Sequence, residues 1–185
     1  MPGSAPPPEP LARVLEGAQG LMGMDERAWA RHANPWSVWT RVLTPMPLAA
    51  LAVWSRVWIG WWCLLPLAAT AAWVWWNPRA FPPPRSHASW AARGVLAERA
   101  VIAARDRVPA HHRRAMAVLT AASALGMAPY AWGLWALDAG AVVAGIVLTA
   151  GAKLWFVDRC IWAAEAMAPR APPLPAGDRS SSPSA

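Results

Sequence analysis

The sequence predicts an all-α polytopic membrane protein with four transmembrane helices, the first of them weak or kinked. An amphipathic interfacial helix and a disordered tail at each end complete the expected architecture. Three observations carry this reading. Of the 185 residues, 56% are hydrophobic and only 15% charged, whereas soluble domains carry roughly a quarter charged residues. Four apolar stretches approach the roughly 20 residues a helix needs to cross about 30 Å of hydrocarbon. Threading the chain through four spans with the N-terminus inside places every one of the 17 basic residues except Arg56 on the cytoplasmic side, as the positive-inside rule requires. Composition also excludes collagen, a coiled coil and a disulfide scaffold.

In chain order, residues 1–24 form the N-terminal tail, which has a Pro run and no apolar stretch of signal-peptide length; a cleaved signal is not expected. The membrane domain is placed at 25–168. Its first span, 36–55, starts where Asn34 can cap a helix with Pro35 in the first position, where a missing N–H costs nothing. Thr44-Pro45 offers a second start, so this helix is either continuous but kinked or a shorter segment that dips into the membrane and returns. The second span covers 57–76, with Asn77-Pro78 as its stop.

The connection that follows opens on Pro82, Pro83 and Pro84 and becomes helix-compatible from Ser89 to Arg107. Trp90, Gly94, Ala97, Val101, Ala104 and Val108 recur at three- and four-residue spacing against Arg93, Glu98, Arg99, Arg105 and Asp106. An interfacial helix lying on the inner leaflet has this pattern, with its arginines toward anionic headgroups. The plainer reading is a solvated connection whose charge simply obeys topology. No nucleic-acid motif accompanies the arginines, and a nucleic-acid partner is not expected.

The third span, 115–137, carries Ala122 and Gly126 one turn apart, and the fourth, 139–164, carries Ala141, Gly145 and Thr149 over two turns. Small residues at this spacing let membrane helices approach closely. With only Asp138-Ala139-Gly140 between them, the two spans should form a tight antiparallel hairpin. Residues 169–185, rich in Pro, Ser and Ala, form the C-terminal tail.

Of the 15 tryptophans, all but Trp29 and Trp90, which lie in peripheral segments, fall at the span ends. Trp36, Trp39, Trp73, Trp75, Trp76, Trp155 and Trp162 mark the inner side; Trp54, Trp58, Trp61, Trp62, Trp132 and Trp135 mark the outer. An amphipathic indole prefers the headgroup level.

Catalytic signatures are absent: no phosphate loop, paired carboxylates, Ser/His/Asp or Cys/His pattern. Cys63 and Cys160 lie far apart and are expected as buried apolar thiols. Adjacent helical residues point about 100° apart, so His111-His112 cannot chelate one metal and is expected at the surface, capping the third span. No metal or cofactor is expected.

The threading does bring Arg31, His32, Asn34, Arg41, Asn77, Arg79, Lys153, Asp158 and Arg159 to one cytoplasmic level. Ionisable groups near hydrocarbon are costly and usually paired or functional. Asp158 is the natural counter-ion for a basic group on another helix, Arg41 or Arg79. One reading makes the set interfacial anchors and helix caps, with Lys153 snorkelling; the sharper one makes it a basic pocket for an anionic headgroup or small anion, with His32 titrating. The protein then reads as a binding, scaffold or accessory protein of the inner membrane, N- and C-termini cytoplasmic, with anionic lipid as its partner. The alternative is a membrane-embedded enzyme for a lipid or other anionic substrate, using Asp158 or His32 for proton transfer. A small transporter comes third, because the second and third spans offer only Thr70, Thr120 and Ser123 at depth.

Three blocks carry a family resemblance: Arg31-His32-Ala33-Asn34-Pro35-Trp36-Ser37-Val38-Trp39-Thr40-Arg41, Trp76-Asn77-Pro78-Arg79-Ala80-Phe81-Pro82-Pro83 and Lys153-Leu154-Trp155-Phe156-Val157-Asp158-Arg159. Together, in this order and across Trp29 to Ala164, they resemble a family of small prokaryotic membrane proteins known only as a domain of unknown function. The resemblance implies a multi-span membrane protein and brings no activity, cofactor or catalytic residue with it.

Overall fold

The computed structural model describes residues 26–168; the two predicted tails lie outside the described residues. Every regular element described is helical. The chain runs through α1 (Glu26–His32), α2 (Pro35–Leu43), α3 (Pro45–Trp54), the short α4 (Arg56–Ile59) with a 3-10 turn (Gly60–Cys63), α5 (Leu64–Ala80), α6 (Trp90–Ala103), a 3-10 turn (Arg105–Arg107), α7 (Ala110–Ala136) and α8 (Ala139–Met167).

Asn34 caps α2 as expected: its side-chain oxygen accepts from the Trp36 N–H at 3.0 Å, with Pro35 in the first turn. Thr44, between α2 and α3, keeps helical backbone angles. The interruption there has a local cause, because Pro45 has no N–H to donate and the ladder resumes with Leu48 N–H to the Thr44 carbonyl. Together α2 and α3 make an arm of ~30 Å at 1.5 Å per residue.

Gly60 reverses the chain at φ 55 and ψ −132, a conformation only glycine adopts without strain. The return arm starts at Leu64, later than the expected residue 57, because α4 and the 3-10 turn occupy the bend. Its end also differs from the expected Asn77-Pro78 stop. The helix runs on to Ala80, with Pro78 inside its last turn and Asn77 in helical register. Asn77 turns its side chain into the hairpin, which offsets the backbone bond that Pro78 removes.

Three helical stretches are long and apolar enough to cross a membrane: Pro35–Ala80 with 46 residues, Ala110–Ala136 with 27 and Ala139–Met167 with 29. The first is the α2–α5 hairpin. The other two pack along their length as the expected antiparallel pair, and the small residues are what permit it. A Cβ added to Gly145 would lie 2.6 Å from the Tyr130 backbone nitrogen, and one added to Gly126 would lie 2.4 Å from Thr149 Oγ1. The turn is tighter than expected. Leu137 takes the left-handed conformation at φ 59 and Asp138 already caps α8, accepting from Ala141 N–H at 3.1 Å.

Three of the last four carbonyls of α7 have partners. The Gly133 carbonyl accepts from the Leu137 and Asp138 N–H groups and from the Trp54 indole. Arg56 donates to the Leu134 and Trp135 carbonyls, each at 2.7 Å. Its cation therefore meets the negative end of a 27-residue helix.

The apolar stripe of α6 is where the sequence placed it, but its partner is protein. Ala97, Val101 and Val108 join Met116, Phe156, Val157, Cys160 and Ile161 in one buried cluster, while Ala91 and Val95 pack with Ala33 and Val38. Gly94 sits so close to α8 that a Cβ would come within 2.3 Å of Val157 Cγ1. The helix also stops at Ala103, short of the expected Arg107. At the opposite end of the bundle Ala50, Tyr130 and Val142 form a smaller buried cluster.

Candidate functional site

The α6 end of the bundle collects polar side chains from five helices. On α2, Ser37 and Thr40 lie on one face of the helix and Asn77 of α5 docks between them. Ser37 and Asn77 are both fully buried. Ser37 Oγ donates to Asn77 Oδ1 at 2.9 Å, and Asn77 Nδ2 donates to Thr40 Oγ1 at 2.8 Å. Thr40 in turn spends its proton on the Trp36 carbonyl at 2.6 Å. His32 Nδ1, at the end of α1, sits 3.1 Å from Ser37 Oγ.

This chain of donors fixes the protons. Thr40 can only accept from Asn77, so the amide must turn its nitrogen to Thr40 and its oxygen to Ser37. The single Ser37 proton is thereby committed, and His32 must donate through Nδ1–H, leaving Nε2 as an acceptor. Burial holds His32 down to a pKa of about 4, and the Arg41 charge adds to that, against an opposing pull from Glu98. The imidazole is neutral at physiological pH. Although Ser37 and His32 touch, they are no nucleophile and base: the serine is sealed from solvent and its proton points away from the imidazole.

Glu98 of α6 is the centre of charge. Its carboxylate takes Lys153 Nζ of α8 at 2.9 Å, in a pair where the Glu98 side chain is 18% exposed and the lysine 42%. Burial alone would raise the Glu98 carboxyl, but Lys153, His32 and Arg41 outweigh it and hold it below the usual range. Lys153 also lies 4.7 Å over the Phe156 ring. Arg41 of α2 lies within Coulombic reach of Glu98 and Arg79. Among the described residues Arg41 makes no hydrogen bond and no ion pair. The groups around Glu98 thus sum to a positive site, with two cations, Lys153 and Arg41, and a neutral imidazole for one carboxylate.

Of the residues singled out in the sequence, His32, Arg41, Asn77 and Lys153 meet in this cluster. Arg31 and Asn34 do another job at its edge: Arg31 Nη1 donates to the Arg79 carbonyl at 3.3 Å and Asn34 Nδ2 to the Pro82 carbonyl at 3.0 Å, closing the hairpin's open end. Arg79 stacks 4.4 Å over the Trp75 ring and donates to the Trp75 carbonyl. Asp158, expected to pair with Arg41 or Arg79, instead accepts from the Trp90 indole at 3.1 Å. The counter-ion role falls to Glu98, because α6 packs against α8 on the Lys153 side. Arg159 turns toward the Trp162 ring, 5.9 Å away, with a buried Nε that has no partner.

Sequence reasoning missed Ser37, Thr40 and Glu98. Their signals were present: Ser37 and Thr40 are three residues apart, and Glu98 follows Gly94 by four and precedes Val101 by three, on the border of the α6 stripe. Also different from expectation is His112, which is buried rather than at the surface, its ring 4.2 Å from that of His111.

The chain matches the family model described as "Family of unknown function (DUF6653)" over residues 15–182, and so belongs to that family. No match was found among curated proteins or among solved structures.

Proposed function

We propose that this DUF6653 chain is a multi-pass membrane protein that binds an anionic lipid headgroup at the α6 end of its bundle. On this reading the α2–α5 hairpin and the α7–α8 hairpin cross the bilayer four times. The α6 end and both tails face the cytoplasm, where the basic residues concentrate and only Arg56 is left on the far side. The far-side arginine has a structural occupation of its own, capping α7.

The observation that carries the binding reading is Arg41. A guanidinium offers five donors and is expensive to leave unmatched near hydrocarbon. Here it stands beside a cluster whose one carboxylate already serves Lys153, so a phosphate oxygen is the complement the site lacks. The exposed indoles of Trp36, in the first turn of α2, and Trp155, two residues beyond Lys153 on α8, support setting this level at the membrane interface.

Native mass spectrometry of the protein released from mixed vesicles of phosphatidylglycerol and phosphatidylcholine tests it. The wild type should retain the anionic lipid selectively, and Arg41→Gln should weaken that retention about fivefold, at ~1 kcal/mol per basic residue near the surface. Arg114→Gln, an exposed basic residue at the same end, serves as the control. Equal retention by the wild type and Arg41→Gln, or no preference for the anionic lipid, would overturn the proposal.

A further inference from the structure

An open groove of about 350 Å³ runs along the α7–α8 pair, lined by Leu119, Thr120, Ser123, Met127, Thr149 and Phe156 together with Ala124 and Lys153. Its volume is that of a small-molecule site. From Leu119 to Met127 it extends ~12 Å along α7 at 1.5 Å per residue.

The groove's hydroxyls are already spent within the two helices. Thr120 donates to the Met116 carbonyl at 2.9 Å, Ser123 to the Thr149 carbonyl at 3.2 Å, and Thr149 to the Ser123 carbonyl at 3.1 Å. A polar solute would find no free hydroxyl donor there. Lys153 is the lone charged residue of the lining, and through Glu98 it connects the groove to the positive cluster that includes Arg41.

We infer that the groove holds one acyl chain of an anionic amphiphile whose phosphate lies against Lys153 and Arg41. This rests on the headgroup reading above and extends it, because the ligand is then recognised by its chain as well as its charge. Charge complementarity selects the occupant: an apolar trough whose one charged lining residue, Lys153, joins it through Glu98 to a cluster of net positive charge fits a molecule that is anionic at one end and hydrocarbon at the other.

The test uses the full chain in amphipol, titrated with lysophosphatidylglycerol, with lysophosphatidylcholine and with soluble glycerol phosphate. The groove variant is Ala124→Phe, at an exposed lining position, so the new ring enters the groove without displacing a core residue. Thr120→Leu, also in the lining, is the second. The wild type should bind lysophosphatidylglycerol most tightly, and both variants should lose about tenfold for it while their weak affinity for glycerol phosphate is unchanged. Glycerol phosphate binding as tightly as the amphiphile, or variants that bind the amphiphile like the wild type, would overturn the groove and leave the headgroup site standing. Equal binding of the two lysolipids would overturn the headgroup reading and with it this extension. Disulfide crosslinking between two copies of Ala124→Cys in vesicles would show a protein helix there instead and overturn the inference.

Discussion

Replacing Asn77 by Ala removes the link between the two arms of the α2–α5 hairpin. Asn77 is fully buried and makes two hydrogen bonds, accepting from Ser37 at 2.9 Å and donating to Thr40 at 2.8 Å. Hydrogen bonds between membrane helices average ~0.6 kcal/mol and reach ~1.7, so the pair contributes ~1–3 kcal/mol. The emptied side-chain volume and the stranded Ser37 hydroxyl add ~1 kcal/mol. The expected loss is ~2–4 kcal/mol, readable as a shift of the unfolding midpoint when SDS is titrated into mixed micelles and followed by tryptophan fluorescence. A double-mutant cycle with Ser37→Ala separates the bond from the cavity: once Ser37 has gone, Asn77→Ala should cost ~1 kcal/mol less. A loss below ~0.5 kcal/mol, or strict additivity of the two changes, would refute the reasoning.

Two further outcomes follow from the packing and the charges. Gly145→Val should separate α7 from α8, since even a Cβ would lie 2.6 Å from Tyr130. We expect a loss of ~3 kcal/mol or more in the same SDS titration, and a wild-type midpoint would contradict the close approach. The second outcome concerns pH. With His32 at a pKa of about 4 in the fold against 6.5 in the unfolded chain, the unfolded state binds more protons between those values, so stability falls as pH is lowered through that window. From pH 6.5 to about 5 the loss is about 2 kcal/mol at ~1.4 kcal/mol per unit. The Glu98 carboxylate adds its own loss only at lower pH, below its ordinary value of 4.5. His32→Gln should flatten the upper part of the curve; an unchanged slope would remove His32 as its source.

The parts of the fold that depend on composition and period were legible. The helical class, the α7–α8 hairpin and the α6 stripe all follow from which residues are apolar and how they repeat. The reversal itself was legible but at Arg56, four residues before Gly60, because Trp58, Ile59, Trp61 and Trp62 continue the apolar run through the bend. Periodicity likewise identifies the buried face of α6 without naming what buries it, and α8 took the place assigned to lipid. The site divided along the same line. His32, Arg41, Asn77 and Lys153 stand out as polar residues at span ends, whereas the Lys153–Glu98 pair joins positions 55 apart through the docking of α6 on α8. Asp158 was the nearer acid in sequence but faces Trp90.

The seat of α6 on α8 also sets an order of assembly. Gly94, Ala97 and Val101 leave the ribosome before α7 and α8, yet the surface they fit, built from Phe156, Val157 and Ile161, is made last. Until α8 is in place α6 has half its buried face uncovered and Glu98 has no lysine. A chain stopped after α7 would carry Glu98, His32 and Arg41 but lack Lys153, so the Glu98–Lys153 ion pair forms only once α8 has been made.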